Sequence, residues 1–149
     1  MSEKIALASD HGGFDLKNLL VEKLKKDGYD VLDLGTHTKD SVDYPDIAAL
    51  MADAIKTGKV EHGILLCGTG IGISIAANRF PFIRAALVHD AFGARLCRQH
   101  NNANVLVLGG RTTGVEVAFE CADIFLHTGF LGDRHARRVE KLSHMTEKE

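Results

Sequence analysis

Short apolar runs alternate with stretches of helical periodicity from one end of this chain to the other, and few folds accept that alternation. Lys4–Ser9 has the pattern of a short strand. Leu16, Leu19, Leu20 and Leu24 then recur at helical spacing until Gly28 stops the helix. Asp30–Leu34 reads as the next strand, and Pro45 opens a helix carrying Ile47, Leu50, Met51, Ala54 and Ile55 that Gly58 closes. Ile64-Leu65-Leu66 forms a buried strand that stops at Cys67, and a helix of small residues follows through Ala76 and Ala77. Two more strands are predicted at Ala85–Val88 and Val105–Leu108, with a helix from Ala91 to Gln99 between them. An apolar helix over Val115–Leu126 and a charged one over Asp133–Met145 complete the pattern. Roughly five βα units of this length predict an α/β fold, a parallel sheet with helices on both faces.

Composition narrows the class of partner. A chain of 149 residues with 45% hydrophobic and 26% charged side chains suits one globular domain, 1–149, with a real core. A formal net charge of -2 gives no bulk attraction to nucleic acid. Met1-Ser2-Glu3-Lys4 runs straight into the first strand, and no apolar run is long enough for a membrane span. The 3 cysteines, none in C-x-x-C spacing, argue against a disulfide scaffold or a metal ribbon. A reducing, cytoplasmic setting without membrane or metal is the expectation.

In a parallel sheet the ligand sits beyond the carboxyl ends of the strands. Asp10-His11 follows the first strand, Cys67-Gly68-Thr69 the third, His89-Asp90 the fourth and Gly109-Gly110-Arg111 the fifth, so the reactive side chains gather on one rim. Cys67 heads the glycine ladder Gly68-Thr69-Gly70-Ile71-Gly72, where a strand gives way to a helix. Unpaired N–H groups there favour negative charge, and a thiol in that place gains as a thiolate. The bland alternative is a small buried thiol beside a simple turn. A dinucleotide fingerprint fails because Ile73 stands where its third glycine belongs, and a P-loop fails for want of a lysine. A cysteine phosphatase would place an arginine where Ile73 stands. What remains is a loop able to hold an anion such as an enediolate beside a thiolate. Spacing alone would equally put a phosphate there.

Arg134 and Arg138 lie one helical turn apart with His135 and Arg137 beside them. They form either a solvated basic face balanced by Asp133 and Glu140, or a grip for an external dianion such as a phosphate ester. His100, near the end of a predicted helix, is on its own as well explained as a dipole partner, and Asp10 as the N-cap of the first helix. Cys97 and Cys121 fall on amphipathic helices and read as core thiols. His37, His62, His127 and His144 carry no pattern that sets them apart.

Ser9-Asp10-His11-Gly12-Gly13, Asp43-Tyr44-Pro45, the run from Cys67 to Asn78, Arg98-Gln99-His100-Asn101 and Arg134-His135-Ala136-Arg137-Arg138, in that order, resemble the type B ribose-5-phosphate isomerases. That family also holds galactose-6-phosphate and allose-6-phosphate isomerases. The resemblance implies a Rossmann-like three-layer α/β/α sandwich around a five-stranded parallel sheet. It implies a cofactor-free aldose–ketose isomerase that works through a cis-enediolate. Cys67 would be the base moving a proton between carbons 2 and 1, with Thr69 handling protons on the adjacent oxygens. The amides of Gly70 to Ser74 would hold the enediolate, with Gly68, Gly70, Ile71, Gly72 and Ser74 in the substrate-binding set. His100, helped by Asp10, would open the furanose ring. His11, Arg111, Arg134 and Arg138 would hold the phosphate, and Tyr44 and Asn101 the sugar. The family site lies between two subunits, with the His100 segment and Arg111 reaching across, so a homodimer is the least assembly expected and a tetramer stays open. The base belongs to the cysteine subgroup, since no glutamate occurs between Gly68 and Asn78. Ribose 5-phosphate is the expected substrate. Another six- or four-carbon sugar phosphate, or a non-catalytic sugar-phosphate binding module, stands as the alternative. His89 matches no role.

Overall fold

A computed structural model describes residues 3–145. Among the described residues five strands, all parallel, form a single sheet: β1 (Lys4–Ser9), β2 (Asp30–Asp33), β3 (His62–Cys67), β4 (Ala85–Leu87) and β5 (Val105–Gly109). Their spatial order is β2-β1-β3-β5-β4. Helices α1 (Phe14–Lys26), α2 (Tyr44–Lys56), α3 (Ile71–Ala77), α4 (Ala91–Gln99), α5 (Val115–His127) and α6 (Arg134–Ser143) connect and follow the strands.

Side chains alternate across the sheet with the period of two that a strand imposes. Ile5, Leu7, Ile64, Leu66, Leu106 and Leu108 pack on one face against α1, α4 and α5, around Leu20, Leu24, Cys97, Cys121 and Phe125. Ala6, Ala8, Leu65, Cys67, Val105 and Val107 pack on the other face against α2 and α3, around Ile47, Met51 and Ile73. The three-layer α/β/α sandwich follows. Each fully buried leucine or isoleucine contributes about 1.5–3 kcal/mol, and both faces of β1, β3 and β5 are lined this way. Small alanines on the α2 face of β1 let that helix approach closely.

A buried charge ties the first helix to the sheet edge. Lys17 is 1% exposed, and its Nζ donates to both oxygens of Asp33, at 2.9 and 3.0 Å, and to the Thr36 carbonyl at 2.9 Å. Every lysine proton thus has an acceptor, which burial of the ammonium demands.

The strand order makes β1 a switch point. β2 lies on one side of it and β3 on the other, and the intervening helices cover opposite faces. The crevice at such a point, beyond the carboxyl ends of the strands, is where this architecture takes its ligands. Asp10 follows the last residue of β1 there, and Cys67 is the last residue of β3.

The terminal helix starts one residue later than the sequence predicts. Asp133 has φ +49°, outside helical geometry, and caps nothing with its side chain.

Candidate active site

Three rim loops meet at the switch point and interlock through glycine. A Cβ on Gly12 would lie 2.8 Å from the Gly68 nitrogen, and one on Gly110 would lie 2.6 Å from the Gly12 oxygen. No other residue type permits such approaches. Backbone bonds tie the same loops: Asp10 N–H donates to the Leu66 carbonyl at 3.2 Å, Gly110 N–H to Cys67 at 2.8 Å and Arg111 N–H to Gly68 at 2.9 Å. Gly70 turns the chain into α3 at φ +80°, a conformation that favours glycine.

Cys67 and Asp10 lie at the bottom of this crevice, 5% and 6% exposed. Asp10 Oδ1 accepts from the Gly12 amide at 2.9 Å, capping the short 3-10 turn His11–Gly13, so the capping role is real. Cys67 packs in the α2 face of the core, which matches the bland reading of its burial. Its neighbours depart from that reading. Among the described residues, no backbone or side-chain acceptor takes the amides of Gly68, Thr69 or Gly70. The Thr69 hydroxyl accepts from Ile71 N–H at 3.3 Å, and Ser74 Oγ donates to the Ile71 carbonyl at 2.7 Å. A turn with free N–H groups beside a thiol is suited to a developing oxyanion.

His11 and Tyr44 border the same crevice with Asp10, along a cleft completed by residues 41–46. His11 Nδ1 accepts from Val42 N–H at 3.3 Å, which puts the neutral ring's proton on Nε2. The Tyr44 ring rests on Gly72, where a Cβ would fall 2.7 Å from its Cζ. The Arg111 guanidinium lies against Gly68 of its own chain, with Nη1 3.3 Å from where a Gly68 Cβ would be.

A second group forms at the end of α4. His100 caps that helix, its N–H donating to the Leu96 carbonyl at 2.8 Å, and its ring stacks on His135 of α6. Asn101 is exposed beside it. Arg134 and Arg138 are exposed on α6, and among the described residues no carboxylate lies within ion-pair reach of either. The balancing by Asp133 and Glu140 does not occur. Glu140 instead holds His144 at 2.7 Å. His135 and Arg98 are the members of this group that sequence reasoning left without a role.

The other sequence expectations resolve by burial. Cys97 and Cys121 sit in the α4/α5 core, and burial pushes both thiols up to about 11. They are inert fillers. His89 is exposed on the rim, next to Asp90, which caps α4 by accepting from Gly93 N–H at 2.8 Å. Among the described residues no group of three or more His, Cys, Asp or Glu side chains is placed to hold a metal ion, and no helix is long and apolar enough to cross a membrane.

Comparison with known proteins agrees with this geometry. The pattern that defines the Ribose/Galactose Isomerase family matches residues 5–142. The chain is 45% identical over 141 residues to ribose-5-phosphate isomerase B of Escherichia coli, covering 95% of each chain. It superposes on the ribose-5-phosphate isomerase B of Clostridium thermocellum with a TM-score of 0.95 at 49% identity, covering 97% of this chain and 98% of that one. The Thermotoga maritima ribose 5-phosphate isomerase gives a TM-score of 0.95 at 51% identity, covering 97% and 99%. With nearly its whole length matched in sequence and in fold, this chain belongs to the Ribose/Galactose Isomerase family.

Proposed function

We propose that this protein interconverts ribose 5-phosphate and ribulose 5-phosphate through a cis-enediolate, with Cys67 as the base. The observation that carries the reading is the meeting of the Cys67–Gly70 and Asp10–Gly12 loops at the switch point, with the amides of Gly68, Thr69 and Gly70 unused. The names of the similar proteins point to the same substrate pair.

In the open-chain aldose, Cys67 removes the proton on carbon 2. The freed electron pair forms the bond between carbons 1 and 2, and the carbonyl oxygen becomes the anion. The free amides meet that anion as it develops, so they lower the barrier more than they tighten substrate binding. Thr69 passes the proton between the two oxygens, and the proton on Cys67 returns to carbon 1. Carbon 1 is reduced as carbon 2 is oxidised, so no external oxidant or reductant enters the balance, while the proton carried by Cys67 can exchange with solvent. Ring opening before this step falls to His100 with Asp10. The phosphate is held by His11, Arg111, Arg134 and Arg138, and the sugar by Tyr44 and Asn101.

Assembly as a homodimer in the cytoplasm completes the proposal. Of the described residues of α6 only His135 is buried, while Leu142 and Met145 beyond it are 46% and 64% exposed. A helix so weakly seated on its own chain, carrying unpaired arginines, is suited to a site shared with a second copy. Three free thiols agree with a reducing compartment. The test is isomerisation in deuterated water followed by mass spectrometry. Ribose 5-phosphate recovered before equilibrium should carry solvent hydrogen on carbon 2, and ribulose 5-phosphate should accumulate. Binding of ribose 5-phosphate without exchange or product would mark a sugar-phosphate binding module instead, and exchange confined to a six-carbon sugar phosphate would reassign the substrate.

A further inference from the structure

The histidine assigned to ring opening is itself held by a second ring. The imidazoles of His100 and His135 lie face to face, with centroids 4.2 Å apart and planes within 11°. They come from helices that are not adjacent in sequence, and the intervening chain is fastened so as to bring them together. Arg98 Nε donates to the Thr128 carbonyl at 3.1 Å, and Leu131 N–H donates to the Gln99 carbonyl at 3.1 Å, so the α5–α6 loop is bonded to the end of α4 at two points. Arg98 Nη1 also braces the turn after His100, donating to Asn102 Oδ1 at 3.0 Å and to the Ala103 carbonyl at 2.6 Å. His135, at 7% exposed, is the one buried residue described in α6.

We propose that His135 is a positioning residue for His100, fixing the plane of that imidazole so that it meets the furanose in a single orientation. The inference rests on the reading of His100 as the ring-opening group. Geometry carries it: a ring packed on one face of an exchangeable side chain removes its freedom about χ2 while leaving its edge nitrogens open. Charge agrees with it. Burial first, then the His100 imidazole and the Arg134 and Arg138 guanidiniums, hold His135 below the ordinary histidine range, with Asp133 acting weakly the other way. A neutral His135 stacks on its partner without repelling it.

The test compares a sugar that must be opened with one that is already open. Ribose 5-phosphate closes into a furanose, whereas an aldotetrose 4-phosphate has its ring-forming hydroxyl blocked by the phosphate. His135→Ala should lower kcat on ribose 5-phosphate about tenfold or more, the scale of losing a fixed near-attack geometry. On the tetrose phosphate kcat should change less than about twofold, and KM should hold for both substrates, because His100 acts only on ring opening. His135→Phe, which keeps a stacking face, should restore most of the ring-closed activity. In a His100→Ala background, His135→Ala should cost nothing further, since two residues that act as one are not additive. An equal fall on both substrates, a rise in KM on both as a phosphate ligand would give, or additive losses in the double variant would each overturn the role. A wild-type protein that isomerises neither sugar would instead defeat the reading of the site itself.

Discussion

Cys67→Ala and Cys121→Ala remove the same atom from sites of nearly equal burial, 5% and 0% exposed, and should part company in activity. Each deletes one buried heavy atom from a packed cluster, Cys67 from the α2 face and Cys121 from the α5 face. Transfer and cavity terms put that loss at about 1 kcal/mol in either case. In a domain of this size the melting temperature should fall by about 2–4 °C. Stabilities of about 5–15 kcal/mol leave both variants folded at room temperature, so stability alone predicts full activity for both. A positioned base is worth about 10²–10⁴ in rate, or about 2.7–5.5 kcal/mol of barrier. Cys67→Ala should therefore lose that much in kcat on ribose 5-phosphate, with solvent-hydrogen exchange at carbon 2 falling in parallel. Cys121→Ala should keep its turnover. Calorimetry on the two variants supplies the matched stability cost, and steady-state kinetics the contrast. If Cys67→Ala turned over within about threefold of Cys121→Ala, Cys67 would be a core thiol like the other and the catalytic argument would fail.

Gly70→Ala should destabilise the fold by about 2–4 kcal/mol and abolish activity, because φ is +80° and the new Cβ would sit 2.5 Å from Leu87 Cδ1 and 3.1 Å from the Leu108 carbonyl carbon. An unchanged melting temperature would show that the turn relaxes freely. On the alkaline side, Cys97 and Cys121 keep their protons up to about 11, against an ordinary value of 9.0 in the unfolded chain. The native state then binds more protons than the unfolded one, so stability should be intact below pH 9 and fall as pH rises towards 11. Cys121→Ala should make that fall shallower, and equal slopes in thermal melts across this range would refute the assignment.

Elements were legible wherever local chemistry punctuates them. The helix from Ala91 to Gln99 and the strand Lys4–Ser9 end where the sequence indicates. The third helix ends at Ala77 as the sequence indicates but starts at Ile71, before Gly72, because Gly70 at φ +80° already turns the chain into it. The insertion of β5 between β3 and β4 was not legible, because register between parallel strands depends on partners far along the chain. The rim was readable because strand ends alone place Asp10, Cys67 and Gly109, and the switch-point rule needs nothing more. Where the Arg111 guanidinium lies, against Gly68 of its own chain, was not legible, since the course of a long side chain follows from packing rather than spacing. The His100–His135 stack was invisible for the same reason. His135 appears in sequence as one more polar residue of a charged helix, and only the α5–α6 loop, bonded back to α4, turns it inward.

The arginines show how one residue type divides between fold and function. Arg84 and Arg98 are partly or wholly buried, and burial pushes both guanidiniums down. Their partners are neutral: Arg84 Nε donates to the Asn102 carbonyl at 2.8 Å, and Arg98 donates to carbonyl oxygens and an asparagine amide. The donors that Arg84 and Arg98 use in this way brace the turn that follows His100. Arg134 and Arg138 are the opposite case, exposed and without a carboxylate partner among the described residues. Charge left unpaired in solvent costs the fold little and keeps its full donor fork for a dianion. All three cysteines are buried, Cys97 and Cys121 in the α4/α5 core and Cys67 at the carboxyl end of β3 beside the free amides. Burial alone does not distinguish Cys67 from Cys121. What distinguishes it is the supply of unused donors beside it, and on that difference we propose Cys67 as the base.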